Sequence, residues 1–190
     1  MKYSNLILKV AFTAFVAFAL TGCLAKGAPK TTYYELDYES NSACAGVTSE
    51  KTSVYIAPIT ALNTYESRMI LSKSGAEVKY LPNSKFIAYP SAMFAKSLSN
   101  YLDTSCDFKQ TLDSASASVR LKIRIIELNA GEENAVISVL ARCEKANGET
   151  RDAKLTARKK IADFSEGNAL AALNEANADL IGQIAEFLRY

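Results

Sequence analysis

Val119-Arg-Leu-Lys-Ile-Arg-Ile125 alternates without a break, with apolar residues at odd positions and basic residues at even ones. A period of two belongs to a β-strand, whose successive side chains point to opposite faces. One face of this strand packs inward and the other meets solvent, as in an antiparallel sheet covered on one side. Ala135-Val-Ile-Ser-Val-Leu-Ala-Arg-Cys143 reads as a longer, buried strand. Lys145-Ala-Asn-Gly148 supplies the Asn-Gly signal of a tight turn. Residues 151–161 then complete a three-strand antiparallel meander.

Working outward, Thr32–Tyr38 and Ser53–Pro58 read as strands, the second ended by its proline. Residues 41–52, rich in Ser, Ala and Gly, read as a loop. Ser67–Ser72 and Glu77–Leu81 read as a hairpin across Lys73-Ser-Gly-Ala76. Pro90-Ser91 opens a helix over 91–104, with Ser91 as cap and Phe94, Leu98, Tyr101 and Leu102 as its apolar stripe. A second helix over about 167–189 carries Leu170, Leu173, Leu180, Ile181, Ile184, Phe187 and Leu188 on a broad apolar face. This order predicts an α+β fold: a mainly antiparallel sheet with two principal helices packed on one face.

The 190 residues suit one domain. At 49% hydrophobic and 22% charged, the composition is that of a folding chain. Histidine is absent, which excludes His-dependent triads and His-containing zinc sites. No GxSxG, P-loop or GxGxxG pattern occurs, so the expectation is a non-enzyme with no metal site and no cofactor. Glu132-Glu133 reads as a pair of solvated turn residues. Arg120, Lys122 and Arg124, with Arg158, Lys159 and Lys160, form a basic face suited to anionic headgroups or an acidic partner; a solvated sheet face is the preferred reading.

Lys2 and Lys9 account for the excess of 22 basic over 20 acidic residues, and both precede residue 23. Between them and Leu20 runs Val10-Ala-Phe-Thr-Ala-Phe-Val-Ala-Phe-Ala-Leu20, the length of a signal-peptide core and too short to span a bilayer. Leu20-Thr21-Gly22-Cys23 follows and resembles the bacterial lipoprotein box. In such a box the Cys thiol takes a diacylglycerol, the signal peptide (residues 1–22) is removed, and the new amino group is acylated. Cys23 and the Gly/Pro-interrupted residues to 32 then form a lipidated tether, and residues 33–190 a single periplasmic domain. Leu24 stands where Asp would resemble an inner-membrane retention signal, so the outer membrane is the expected destination. Without its export segment the chain is formally neutral, which gives no support to nucleic-acid binding.

Cys44, Cys106 and Cys143 remain, in an oxidising compartment. A structural disulfide between two of them is expected. If strand 53–58 runs parallel to strand 77–81, Cys44 and Cys106 meet at one end of the sheet; Cys143 reaches the same end, so the pairing stays open.

Tyr33-Tyr34-Glu35-Leu36, Val54-Tyr-Ile-Ala-Pro58, Tyr65-Glu-Ser-Arg68-Met-Ile70, Val78-Lys-Tyr-Leu81 and Phe86-Ile-Ala-Tyr-Pro90 follow one another ahead of the first helix. In this order they resemble the auxiliary lipoproteins of ABC-type transport systems that work with mammalian-cell-entry-domain lipid transporters. Tyr89 stands where that family commonly has Trp. The resemblance implies a non-enzymatic, outer-membrane-anchored component of a phospholipid or hydrophobic-solute pathway, docking transporter proteins. It transfers no binding residues. Two other classes fit a small tethered α+β domain: an assembly lipoprotein of the lipopolysaccharide-translocon plug or secretin-pilot type, and a periplasmic lipid-binding module.

Overall fold

The structure, a computed structural model, describes residues 30–38 and 50–189. Leu20, Thr21, Gly22, Cys23 and Cys44 lie outside the described residues. The chain divides after Thr31, and Thr32–Tyr190 forms one compact unit. Its elements run β1 (Thr32–Tyr34), β2 (Thr52–Ile56), β3 (Thr60–Ala61), β4 (Met69–Ser74) and β5 (Glu77–Phe86). Then come α1 (Pro90–Thr104), β6 (Phe108–Thr111), β7 (Val119–Ala130), β8 (Asn134–Lys145), β9 (Thr150–Lys160) and α2 (Glu166–Leu188).

The α+β reading holds, and the strands make two mixed sheets. The larger has the order β6-β2-β7-β8-β9, with β3 beside β7; the smaller has the order β1-β5-β4. The long ladders β7–β8, β8–β9 and β4–β5 are antiparallel. The short strands β1, β2, β3 and β6 join in parallel. Strand β2 therefore does not lie beside 77–81: it pairs with β6 and β7, in the other sheet. Strand β6, Phe108-Lys-Gln-Thr111, was not expected, because four residues with one apolar member carry too little period to read.

The meander follows its alternation. Val119, Leu121, Ile123 and Ile125 are buried, and across from them Ala135, Ile137, Val139, Ala141 and Cys143 point the same way. Ile125 pairs with Val139 and Glu127 with Ser138, so Ile126 is an extra residue, a β-bulge. Beyond it the parity reverses, and the even residues Leu128 and Ala130 are buried. Gly148, at φ +87°, closes the expected β8–β9 turn, and Gly75, at φ +58°, the β4–β5 turn.

Helix α2 packs on β7, β8 and β9, and α1 on β6 and β3. Alanines 169, 172, 176 and 185 on the buried stripe of α2 let its backbone approach the sheet, while Leu173, Leu180, Ile181 and Ile184 fill the space between. Each such large side chain contributes about 1.5–3 kcal/mol by leaving water. Ser165 caps α2 by accepting from the Asn168 amide. Ser91 does not cap α1: Tyr89 is the N-cap, without a side-chain bond, Pro90 opens the helix, and the Ser91 hydroxyl donates instead to Glu66.

Residues 35–38 leave the strand geometry expected of them and pass between the helices. The buried Asn177 amide donates to the Asp37 carbonyl at 2.9 Å and to Ser97 Oγ at 3.1 Å. The Ser97 hydroxyl donates to the Leu36 carbonyl at 3.1 Å, and the Asp37 amide to Asn174 Oδ1 at 3.2 Å. Leu36 is buried in the core beside this tie.

The two sheets meet where Gly131, in the β7–β8 turn, passes β4. A Cβ on Gly131 would stand 2.5 Å from the Lys73 carbonyl oxygen. Gly131→Ala is expected to lower unfolding free energy by roughly 1–3 kcal/mol, since backbone on both sides must shift. Removing the Asn177 donor should cost a similar ~1–3 kcal/mol, because Asp37 loses its buried partner. Urea titration of Asn177→Ala measures this; a midpoint equal to that of the unaltered protein would show that the tie holds nothing.

Candidate interaction site

Three stretches distant in sequence meet at Arg68. The Phe86 amide donates to the Arg68 carbonyl at 2.8 Å, and Arg68 Nε donates back to the Phe86 carbonyl at 2.9 Å. This reciprocal pair fixes the guanidinium, which lies over the Tyr33 ring at 5.5 Å from its centroid. Tyr33 itself is set by register: it pairs with Lys85 in the parallel β1–β5 ladder, and Lys85 pairs with Met69 on the other side. The Ile87 amide continues the ladder to the Tyr34 carbonyl at 2.8 Å.

The result is an open cleft of about 350 Å³ lined by Tyr33, Glu66, Arg68, Met69, Lys85 and Tyr89. Tyr33, Ile87 and Tyr89 leave more than half of their surface in water. Glu66 accepts from the Ser91 hydroxyl through Oε1, while its Oε2 is buried without a hydrogen-bond partner. A buried carboxylate oxygen is costly to leave unpaired. The cleft thus presents aromatic surface and two cations. It can bind an extended segment by stacking on the aromatic rings. Stretches 33–36, 65–70 and 86–90 carried part of the family resemblance, and they build this one surface. The sequence carries no signal that these stretches touch or that Glu66 lies beside them.

The other singled-out residues are spread over the molecule. Cys143 is not a disulfide member: it is a free thiol, buried among the core residues of β8. Burial pushes its thiol above the usual range against the opposing pull of Lys145 and Arg151, so the reactive thiolate is scarce near neutrality. Cys106 is half-buried in the bend between α1 and β6. Glu132 is no idle turn residue. It accepts from Ser74 at 3.1 Å and Lys79 at 3.2 Å, bridging the β7–β8 turn to the β4–β5 hairpin, and these bonds hold its carboxyl below the usual carboxylate range.

The basic face divides. Arg120 pairs with Glu144, and Arg142 forms a fork with Asp152 at 2.7 and 2.9 Å. Lys159 points to the helix side, where it pairs with Asp179, so it does not belong to that face. Lys122, Arg124 and Lys154 surround the exposed Leu140 along an open trough of about 840 Å³. Among the described residues no cluster of His, Cys, Asp and Glu could hold a metal ion, and no helix is long and apolar enough to cross a membrane.

Cys143 in the folded protein is expected to resist a thiol reagent at pH 7 and to react at once in denaturant. Its native reactivity should rise only as the pH climbs past that of an ordinary thiol. Prompt labelling of the native protein at pH 7 would contradict its burial.

No protein-family model and no curated protein matches this sequence. Among solved structures, the chain resembles a DUF330 protein from Xanthomonas campestris, with TM-score 0.69 and 12% identity over 81% of this chain and 92% of that one. It is similar to an uncharacterised protein with TM-score 0.68 and 10% identity, over 83% and 97% of the two chains. A hypothetical protein from Chlamydia trachomatis follows at TM-score 0.51 and 14% identity, over 72% and 94%. At these identities what the chain shares with them is the fold.

Proposed function

We propose that this chain is an auxiliary lipoprotein of an ABC-type transport system with a mammalian-cell-entry-domain protein, carrying phospholipid or another hydrophobic solute. It is held in the outer membrane, facing the periplasm, by a diacylglycerol and an N-acyl group on Cys23, and it acts by docking partner proteins without catalysis. The observation that carries this reading is the convergence of Tyr33, Arg68 and Tyr89 on one exposed cleft. Three stretches that resemble the transport family supply its walls. An exposed, rigidly held aromatic surface of this kind is suited to a protein contact.

We infer that the expected disulfide joins Cys106 to Cys44. The support for this pairing is that Cys143, the other candidate, is a free thiol buried in the core. Denatured, unreduced protein released from its anchor should then show one reactive thiol, that of Cys143. Three would reject the disulfide.

The anchor and the docking have separate tests. Cys23→Ser should abolish acylation and leave the precursor uncleaved or free of the membrane; normal attachment of that variant would refute the anchor. Affinity purification of the lipidated protein should recover a mammalian-cell-entry-domain protein. The Tyr33→Ala/Tyr89→Ala variant should lose it while keeping its thermal midpoint. Recovery of an outer-membrane barrel instead would favour the assembly-lipoprotein reading, and co-purified phospholipid with no protein the lipid-binding one.

A further inference from the structure

The outer face of the large sheet carries an unbalanced charge that no described element covers. In the antiparallel register, Arg124, Leu140 and Lys154 form one row across β7, β8 and β9, and Lys122, Arg142 and Asp152 form the next. With strands about 4.8 Å apart, Arg124 and Lys154 stand roughly 10 Å from each other with Leu140 between them. Arg142 is neutralised by Asp152. Lys122, Arg124 and Lys154 have no acidic partner among the described residues. Leu140 is 46% exposed, where a sheet face built only for solvent would carry a polar residue.

The opposite side of the sheet has the reverse character. Helix α2 holds Glu166, Glu175, Asp179 and Glu186 and neither Lys nor Arg. Of the chain's basic residues, Lys2, Lys9, Lys26 and Lys30 precede Thr32, so the domain itself holds two more acids than bases. Attraction to an anion therefore cannot come from net charge and needs a local excess of cations, which this face supplies.

We propose that the open face of β7–β9 rests on an anionic phospholipid surface, with Lys122, Arg124 and Lys154 at the headgroups and Leu140 seated between them. The complementarity is of charge and shape. The trough is broad and open, which suits a surface and not an enclosed small molecule, and the charge separation between sheet face and α2 orients the domain with the helix away from the bilayer. Arg residues and Lys ammoniums on one face, with an apolar residue at their centre, are the elements of interfacial binding. The inference adds an orientation to the proposed lipid anchor, but it does not require the docking partner.

The test uses the anchor-free unit from Thr32 onward, which contains the whole described core. Co-sedimentation with vesicles of phosphatidylcholine containing 30 mol% phosphatidylglycerol is compared with vesicles of phosphatidylcholine alone. Binding is expected only to the anionic vesicles and should fall with added salt. The Lys122→Glu/Arg124→Glu/Lys154→Glu variant should bind roughly 100-fold more weakly. A control with the same change in net charge placed on β4, β5 and α1, Lys73→Glu/Lys79→Glu/Lys96→Glu, should bind as the unaltered domain does. Equal binding to both vesicle types, or equal loss in the control, would overturn the proposal. So would capture of polyglutamate by this face with no vesicle binding, which would assign the face to an acidic protein. None of these outcomes depends on whether a transporter protein co-purifies.

Discussion

A strand of three residues cannot hold itself in place, and the hydrogen bonds around Asn177 are what hold β1. Its amide and the Ser97 hydroxyl take up the Leu36 and Asp37 carbonyls, and Asn174 takes the Asp37 amide. Two helices thereby fix the chain just beyond Tyr34, with Leu36 sunk in the core as a plug. The short parallel ladder to β5 follows from that, and with it the position of Tyr33 under Arg68. The network has a cost of its own, since Asn177 Oδ1 is buried without a partner. It persists because apolar replacements would leave the backbone carbonyls of 36 and 37 unmet inside the protein.

What could be read in advance was whatever repeats. The meander and both helices carry many turns of one period, so the alternation of 119–125 and the stripe of 170–188 set their own burial. The bulge at Ile126 was invisible because two adjacent isoleucines satisfy either face. Strand β6 was invisible because its partner β2 lies far away in sequence and its own pattern is too short. Parallel pairing is a property of the assembled sheet, so β2 could be recognised as a strand while its neighbours were misjudged. The Ser91 cap failed for another reason: Pro90 already begins the helix, which leaves the Ser91 hydroxyl free to meet Glu66.

The cleft illustrates a similar division. Its residues stood out in the sequence as short stretches in a fixed order, but nothing in 33–36, 65–70 or 86–90 says that they touch. The reciprocal Arg68–Phe86 bonds and the β1–β5 register bring them together. The basic face was legible as composition, and the structure divided it, withdrawing Lys159 and pairing off Arg120. A sum over the sequence shows near-neutrality; the structure shows three cations without an acidic partner among the described residues on one face of the sheet and a helix without Lys or Arg on the other.

The parallel joint between β1 and β5 has a mechanical meaning as well. Any pull on the chain ahead of Thr32 enters the domain along β1, so it loads the β1–β5 hydrogen bonds in shear and not one at a time. A longer strand would spread such a load over many rungs. Here three rungs pass it within a few residues to Leu36 and to the side chains of Ser97 and Asn177, and from there into both helices. A tug on the leading end therefore enters at an edge strand and is handed to the core within a few residues.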